Sequence, residues 1–234
     1  MPPNTNTPIK ETWLRPVEQL VLPALESRIR ILGFTGPETG TGVSTLCRAS
    51  AEVLARSGAR VLLLDLSPDA ASGRDPMSWT PGRNGAMSAV APDPAGFDVL
   101  RAGITPDSRF LFNNARSLRS TLSEELSRYS AIVVNLPPLL DARPESINPI
   151  ACALVCDEVV LVCAQDVTSR TSASQAAEAA RAAGVKLTGA VWNRRGASTT
   201  GQEMARSARR WLRFAPRLAA AVERRLTRTP LLDG

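Results

Sequence analysis

The chain has 234 residues, 44% hydrophobic and 21% charged, with a formal net charge of +6. That composition is ordinary for a soluble globular protein, and the length suits one domain with a sizeable core and short appendages. Histidine is absent, which excludes a Ser-His-Asp triad, a Cys-His pair and any His-ligated metal. Aromatic residues make up only 4%, too few for a base-stacking nucleic-acid platform.

The N-terminus, Met1 to Trp13, is polar and proline-rich and has no signal-peptide core. No run of about 18 apolar residues follows, so no transmembrane helix is expected. The expected location is therefore the cytoplasm, where Cys47, Cys152, Cys156 and Cys163 stay reduced. Cys152 and Cys156, four apart, have the spacing of a ligand pair on a helix face. Without histidine or a second close cysteine pair, they are expected as buried structural thiols.

A short amphipathic helix is expected over residues 17–29, interrupted at Pro23. From Arg30 an alternating pattern begins. Strands are expected at 31–35, 60–65, 97–101, 131–135, 158–163 and 186–193. Helices are expected at 43–57, 117–128, 145–155 and 169–183. Residues 67–98 are rich in Pro, Gly, Ser and Asp and are expected as a long surface loop with at most one helical turn. Continuous apolar strands alternating with helices imply a mostly parallel sheet covered on both faces, a three-layer α/β/α domain. Three segments result: a polar lead with a short helix (1–29), the α/β domain (30–195) and a basic tail (196–234).

Between Gln202 and Arg228, Arg206, Arg209, Arg210, Arg213, Arg217, Arg224, Arg225 and Arg228 face only Glu203 and Glu223, an excess equal to that of the whole chain. Met204, Ala208, Trp211, Ala215, Leu218, Val222 and Leu226 recur at three- and four-residue steps as one apolar stripe, with Pro216 a kink or break. Such a helix either packs on the sheet, lies on an anionic membrane surface or docks a partner. For the second and third readings the contact residues are Arg209, Arg210, Trp211, Arg213 and Phe214. Nucleic acid is not expected as a partner, since no base-reading motif accompanies the charge.

The first strand runs into Thr35-Gly36-Pro37-Glu38-Thr39-Gly40-Thr41-Gly42-Val43-Ser44-Thr45 and then a helix. Glycines at such a turn let backbone N–H groups converge on an anion at the helix N-terminus, the principle of the P-loop. The loop residues Gly40, Thr41, Gly42, Val43, Ser44 and Thr45 are therefore a candidate nucleotide-phosphate site. The lysine that G-x-x-x-x-G-K-[ST] requires is Val43, and its first glycine is Pro37.

Downstream follow VLLLD ending at Asp65, GFDVLRAG at 96–103, YSAIVVNLPPLLDA at 129–142, DEVVLVCAQDVTS and GVKLTGAVWNR. In this order the chain resembles, over roughly residues 30–195, the bacterial tyrosine kinases of capsule and exopolysaccharide synthesis, relatives of the MinD/ParA class of P-loop proteins. The pair Pro137-Pro138, with Asp141 four positions after Pro137, is its most specific element. The resemblance implies ATP or ADP with Mg²⁺ as cofactor. Asp65, Asn135 and Asn193 then join the loop, Asn193 at the position that contacts adenine in relatives. Ser44 and Asp65 remain as metal-binding oxygens. The alternative is that no cofactor binds.

The departures gather at the chemistry. Besides the loop lysine, the early signature lysine of MinD/ParA relatives corresponds to Glu38, and the aspartate of the later strand to Asn135. The acidic Asp-x-Asp pair is reduced to Asp65-Leu66-Ser67. The tyrosine cluster that these kinases autophosphorylate is missing, Tyr129 being the only tyrosine, and their N-terminal ring-assembly motif is not visible. One lost transition-state contact costs about 3 kcal/mol, or 10²–10³ in rate. Two such losses at one phosphate site leave little phosphoryl transfer.

The expectation is a kinase-like protein without catalytic residues, part of a bacterial polysaccharide biosynthesis and export system. It would bind an inner-membrane chain-length (co-polymerase) protein, either dispersed in the cytoplasm or peripheral on the inner membrane, and either alone or as a homo-oligomer. Two alternatives stand beside it: an active ATP-dependent tyrosine autokinase or ATPase in which an arginine replaces the lysine, and a MinD/ParA-like positioning ATPase.

Overall fold

A computed structural model describes residues 11–27, 29–68, 79–83, 85–105, 107–141, 143, 146–165 and 167–193. The basic tail, including Arg209, Arg210, Trp211, Arg213 and Phe214, lies outside the described residues. In chain order the elements are α1 (Glu11–Glu26), β1 (Ile31–Thr35), α2 (Val43–Arg56), β2 (Val61–Asp65), β3 (Ala91–Pro92) and β4 (Asp98–Arg101). There follow α3 (Arg109–Phe112), α4 (Ala115–Ser123), β5 (Ala131–Asn135), α5 (Pro149–Ala153), β6 (Glu158–Ala164), α6 (Arg170–Ala182) and β7 (Leu187–Asn193).

The strands form one sheet in the order β3-β4-β2-β5-β1-β6-β7. All neighbours pair parallel except β3 with β4, which are antiparallel. Side chains alternate across a strand, so each apolar run feeds two cores. Ile31, Leu62, Leu64, Ile132 and Val134 face α4, α5 and α6. Leu32, Phe34, Val61, Leu63 and Val133 face α1 and α2. Both faces of the central strands β1, β2, β5 and β6 are thus buried, which is why those strands are mostly apolar, while the edge strands β3 and β7 stay largely exposed; the three-layer α/β/α arrangement stands. Fully burying each of these large side chains stabilises the fold by about 1.5–3 kcal/mol.

Several expectations need correction. The first helix starts at Glu11 and runs through Pro16 and Pro23 without interruption. Val17 and Val21 are buried against the α2 face, so tertiary packing outweighs the lost N–H groups. The fourth helix is shorter than expected, and the fifth shrinks to Pro149–Ala153. Asn148 sets its start, accepting from the N–H groups of Ile150 and Ala151. The short helix α3 and the two-residue edge strand β3 lack any periodic signal and were not expected. The long loop does carry one 3-10 turn, at Ala86–Ala89.

Candidate functional site

The chain leaves β1 for α2 on one face of the sheet and leaves the adjacent β5 for α5 on the other. A crevice at the carboxyl ends of the strands results, the place where α/β sheets bind ligands. The loop of residues 36–42 lies there. Its start is held from below: Leu139 donates its N–H to the Gly36 carbonyl (2.8 Å) and Leu140 to that of Pro37 (3.1 Å). The Thr35 hydroxyl donates to the Pro137 carbonyl (2.8 Å). The proline pair therefore fixes the segment that cradles the loop.

Helix α2 begins on Gly42, at φ +93°, with no side-chain cap. A Cβ on Gly42 would also collide with the Asn193 amide, so glycine is required on two counts. None of the N–H groups from Gly42 to Thr45 donates to an acceptor among the described residues. These are the orphan donors of a helix start, aimed where an anion would sit. Gly40 is exposed at φ +83°. Thr41 is buried, and its Oγ1 has no partner among the described residues. Ser44 and Thr45 are exposed. Val43 is half-buried and packs against the core beneath α2, so the lysine position points an apolar stub into the protein.

Asn135 ends β5 and is buried; its register partners are Phe34 on β1 and Asp65 on β2. Its Nδ2 donates to Ser44 Oγ (3.1 Å) and to Asp65 Oδ1 (2.8 Å). The nitrogen must face Asp65, because an amide oxygen there would meet carboxylate lone pairs. Asn135 Oδ1 is consequently left buried with no partner among the described residues. Asp65 Oδ1 also accepts the Ser67 N–H (3.1 Å). The structure thus brings the side chains of Ser44, Asp65 and Asn135 together.

That donor set does not suit Mg²⁺. The ion requires oxygen ligands close by in near-octahedral array. Here an NH₂ group, with no lone pair to give, stands between the two oxygens that remain. No group of three or more His, Cys, Asp or Glu residues able to hold a metal occurs among the described residues.

Asn193, at the end of β7, donates Nδ2 to the Thr41 carbonyl (2.9 Å) and is buried. Its amide therefore braces the loop. Beside it Trp192 remains 52% exposed. Glu38 bends back onto α6: its Oε1 accepts from the Ser172 hydroxyl (3.1 Å), next to the capping box formed by Ser169 and Ser172. A carboxylate is favoured at that positive helix end. Burial, and secondarily the Glu38 charge, push the Cys163 thiol up.

Sequence reasoning missed Arg101. It pairs in register with Asp65 and, two residues beyond the buried Val99, lies on the same face of the sheet. It is exposed. Only the β2–β4 register reveals this neighbour. Asp141, seated below the loop, takes the Arg143 guanidinium on both oxygens (2.9 and 2.7 Å) and the Ser146 hydroxyl (2.8 Å). The arginine contact, reinforced by Ser146, holds its pKa down at about 2.

The four cysteines are buried and unbridged. Burial pushes the Cys152 thiol up to about 12 and raises Cys47 and Cys156 as well, which makes them poor nucleophiles and poor ligands at neutral pH. Among the described residues, no helix is long and apolar enough to cross a membrane.

No protein-family model and no curated protein matches the chain. Solved structures do. The kinase domain of VpsO matches with a TM-score of 0.63 and 21% identity, over 77% of this chain and 91% of that one. The kinase domain of the Escherichia coli tyrosine kinase ETK matches with a TM-score of 0.59 and 21% identity, over 74% and 71%. The septum site-determining protein MinD of Pyrococcus horikoshii, complexed with Mg-ADP, matches with a TM-score of 0.55 and 18% identity, over 72% of each chain. At these identities the likeness speaks for architecture: the chain has the P-loop NTPase-like α/β fold found in bacterial tyrosine kinase domains and in MinD.

Proposed function

We propose that this chain is a non-catalytic, kinase-like component of a bacterial polysaccharide synthesis and export system. It acts by binding the cytosolic part of an inner-membrane chain-length (co-polymerase) protein, with nucleotide as a ligand rather than a substrate. The tail at Arg209, Arg210, Trp211, Arg213 and Phe214 would add a contact to the anionic membrane surface. One observation carries the reading: the position from which a lysine would reach the phosphates holds Val43, packed against the core. The amide of Asn135 at the aspartate position supports it, as do the kinase domains among the fold neighbours.

The test is ATP turnover by the purified chain with Mg²⁺, together with co-isolation of the chain and a co-polymerase from solubilised membranes. No turnover above background, with co-isolation, is the expected result. Turnover abolished by Asp65→Ala would overturn the reading in favour of an active autokinase or ATPase. One observation favours that second reading enough to keep it: Arg101 stands in register beside Asp65. Arg101→Ala would then abolish the same turnover. The MinD-like positioning reading is weaker, because Glu38, at the signature-lysine position, is engaged with Ser172 of its own chain.

A further inference from the structure

The arrangement around Asn135 has a meaning beyond the loss of a carboxylate. Its Nδ2 stands 3.1 Å from Ser44 Oγ and 2.8 Å from Asp65 Oδ1. Those are the two oxygens that would flank a divalent cation. An amide NH₂ carries a partial positive charge and can satisfy both at once, so it fills the cation's place electrostatically without needing the cation. Asp65 has a further donor in the Ser67 N–H. The other carboxylate of the region, Glu38, is turned toward α6. Each carboxylate thus has at least one protein donor, although Glu38 Oε2 is buried with no partner among the described residues.

The anion side of the site is intact. The N–H groups of Gly42, Val43, Ser44 and Thr45 are open among the described residues. Three side chains there each keep a buried, unpartnered oxygen among the described residues: Glu38 Oε2 and Thr41 Oγ1 within the loop, and Asn135 Oδ1 at the end of β5. Open backbone donors, beside buried polar atoms that keep no partner among the described residues, describe a site built for a ligand.

We infer that the loop binds the diphosphate of a nucleotide free of divalent cation, the Asn135 amide standing where Mg²⁺ would otherwise bridge Ser44 and Asp65. This rests on the reading of the site as ligand-holding and non-catalytic. Binding of this kind leaves the diphosphate held by backbone N–H groups alone. Nucleotide complexed with Mg²⁺ then gains nothing from the protein's side of the metal.

The experiment is calorimetric titration of the full chain with ADP, once in excess EDTA and once in excess Mg²⁺, followed by an ATP turnover assay on the same sample. Equal affinity in the two conditions, within about twofold, is expected for the natural chain. In Asn135→Asp a second carboxylate meets Asp65 and a metal site is restored, so ADP should bind at least about tenfold tighter with Mg²⁺ than with EDTA. Circular dichroism in EDTA checks that this variant folds. Ser44→Ala provides an independent arm that keeps the backbone N–H. It should leave ADP affinity unchanged within about twofold in both conditions, whereas a loss confined to Mg²⁺ would show Ser44 acting as a metal ligand and overturn the inference. Binding by the natural chain that needs Mg²⁺, or no binding in either condition, overturns it as well. ATP turnover instead overturns the non-catalytic reading beneath it, and the EDTA comparison separates the two failures.

Discussion

Asn193 illustrates how one side chain can be identified in sequence without its partners in the fold. The family resemblance implied a base contact; the structure adds that its Nδ2, at the end of β7, donates to the Thr41 carbonyl. Asn193→Ala would leave that carbonyl without its donor and remove the wedge against Gly42. A loss of about 1–3 kcal/mol in urea unfolding is expected, with any ADP affinity falling alongside it. Glu38 tells the same story: its charge reversal was plain in the sequence, but its partner Ser172 lies 134 positions away. Local patterns carry what a residue is; they do not carry which distant atom it meets. The loop itself was legible because glycine spacing between a strand and a helix is a local signal. The Asn135 bridge was only half so, since all three residues were named but not the direction of the amide.

Elements were legible where apolar runs were long. The strand at Ala131–Asn135 matches its expected bounds, and β1, β2, β6 and β7 match to within one residue. The failures are α3, β3 and the course of α1, which depend on packing rather than on periodicity. Arg30, directly before β1, shows how packing of this kind joins elements. Its Nε donates to the Tyr129 carbonyl (3.0 Å), and its Nη2 to those of Leu122 (2.9 Å) and Leu126 (2.8 Å). One guanidinium thus serves the carbonyls at the end of α4 and of the turn that leads into β5. Arg30→Ala should cost about 2–3 kcal/mol in chemical denaturation, the range for charged hydrogen bonds whose acceptors are then stranded. Arg30→Lys should recover only part, because an ammonium cannot span the same fork of acceptors.

At the scale of the whole molecule, the acid limb of stability is set by carboxylates tied to arginine. Asp141 is held at about 2, chiefly by Arg143. Burial raises Asp93 and Asp157, but Arg48 with the Ala95 N–H, and the Ile31 N–H with Arg119, override it and leave both lowered. A folded pKa below the unfolded value, about 3.9, means stabilisation that is present above pH 4 and lost as the pH falls toward the folded value. Acid unfolding monitored by circular dichroism should therefore set in below pH of about 4. Arg143→Ala should lower stability at neutral pH and flatten the decline between about pH 4 and 2, because Asp141 then loses the largest cause of its lowered folded value. Nothing local in the sequence announced Asp93–Arg48 or Asp157–Arg119, which join residues 45 and 38 positions apart.

Trp192 gives the molecule a built-in optical probe. The indole is about half in solvent at 52% exposure, on the residue next to the one that braces the loop. Its side chain and that of Asn193 leave the strand on opposite faces, so its emission reports on the strand that carries the brace rather than on the loop directly. Trp79, buried and donating to the Arg101 carbonyl (2.9 Å), reports instead from beneath the far strands and serves as an internal reference. An emission change on adding ADP that is lost in Trp192→Phe would separate its signal from those of Trp13, Trp79 and Trp211, and would follow ligand binding without a label.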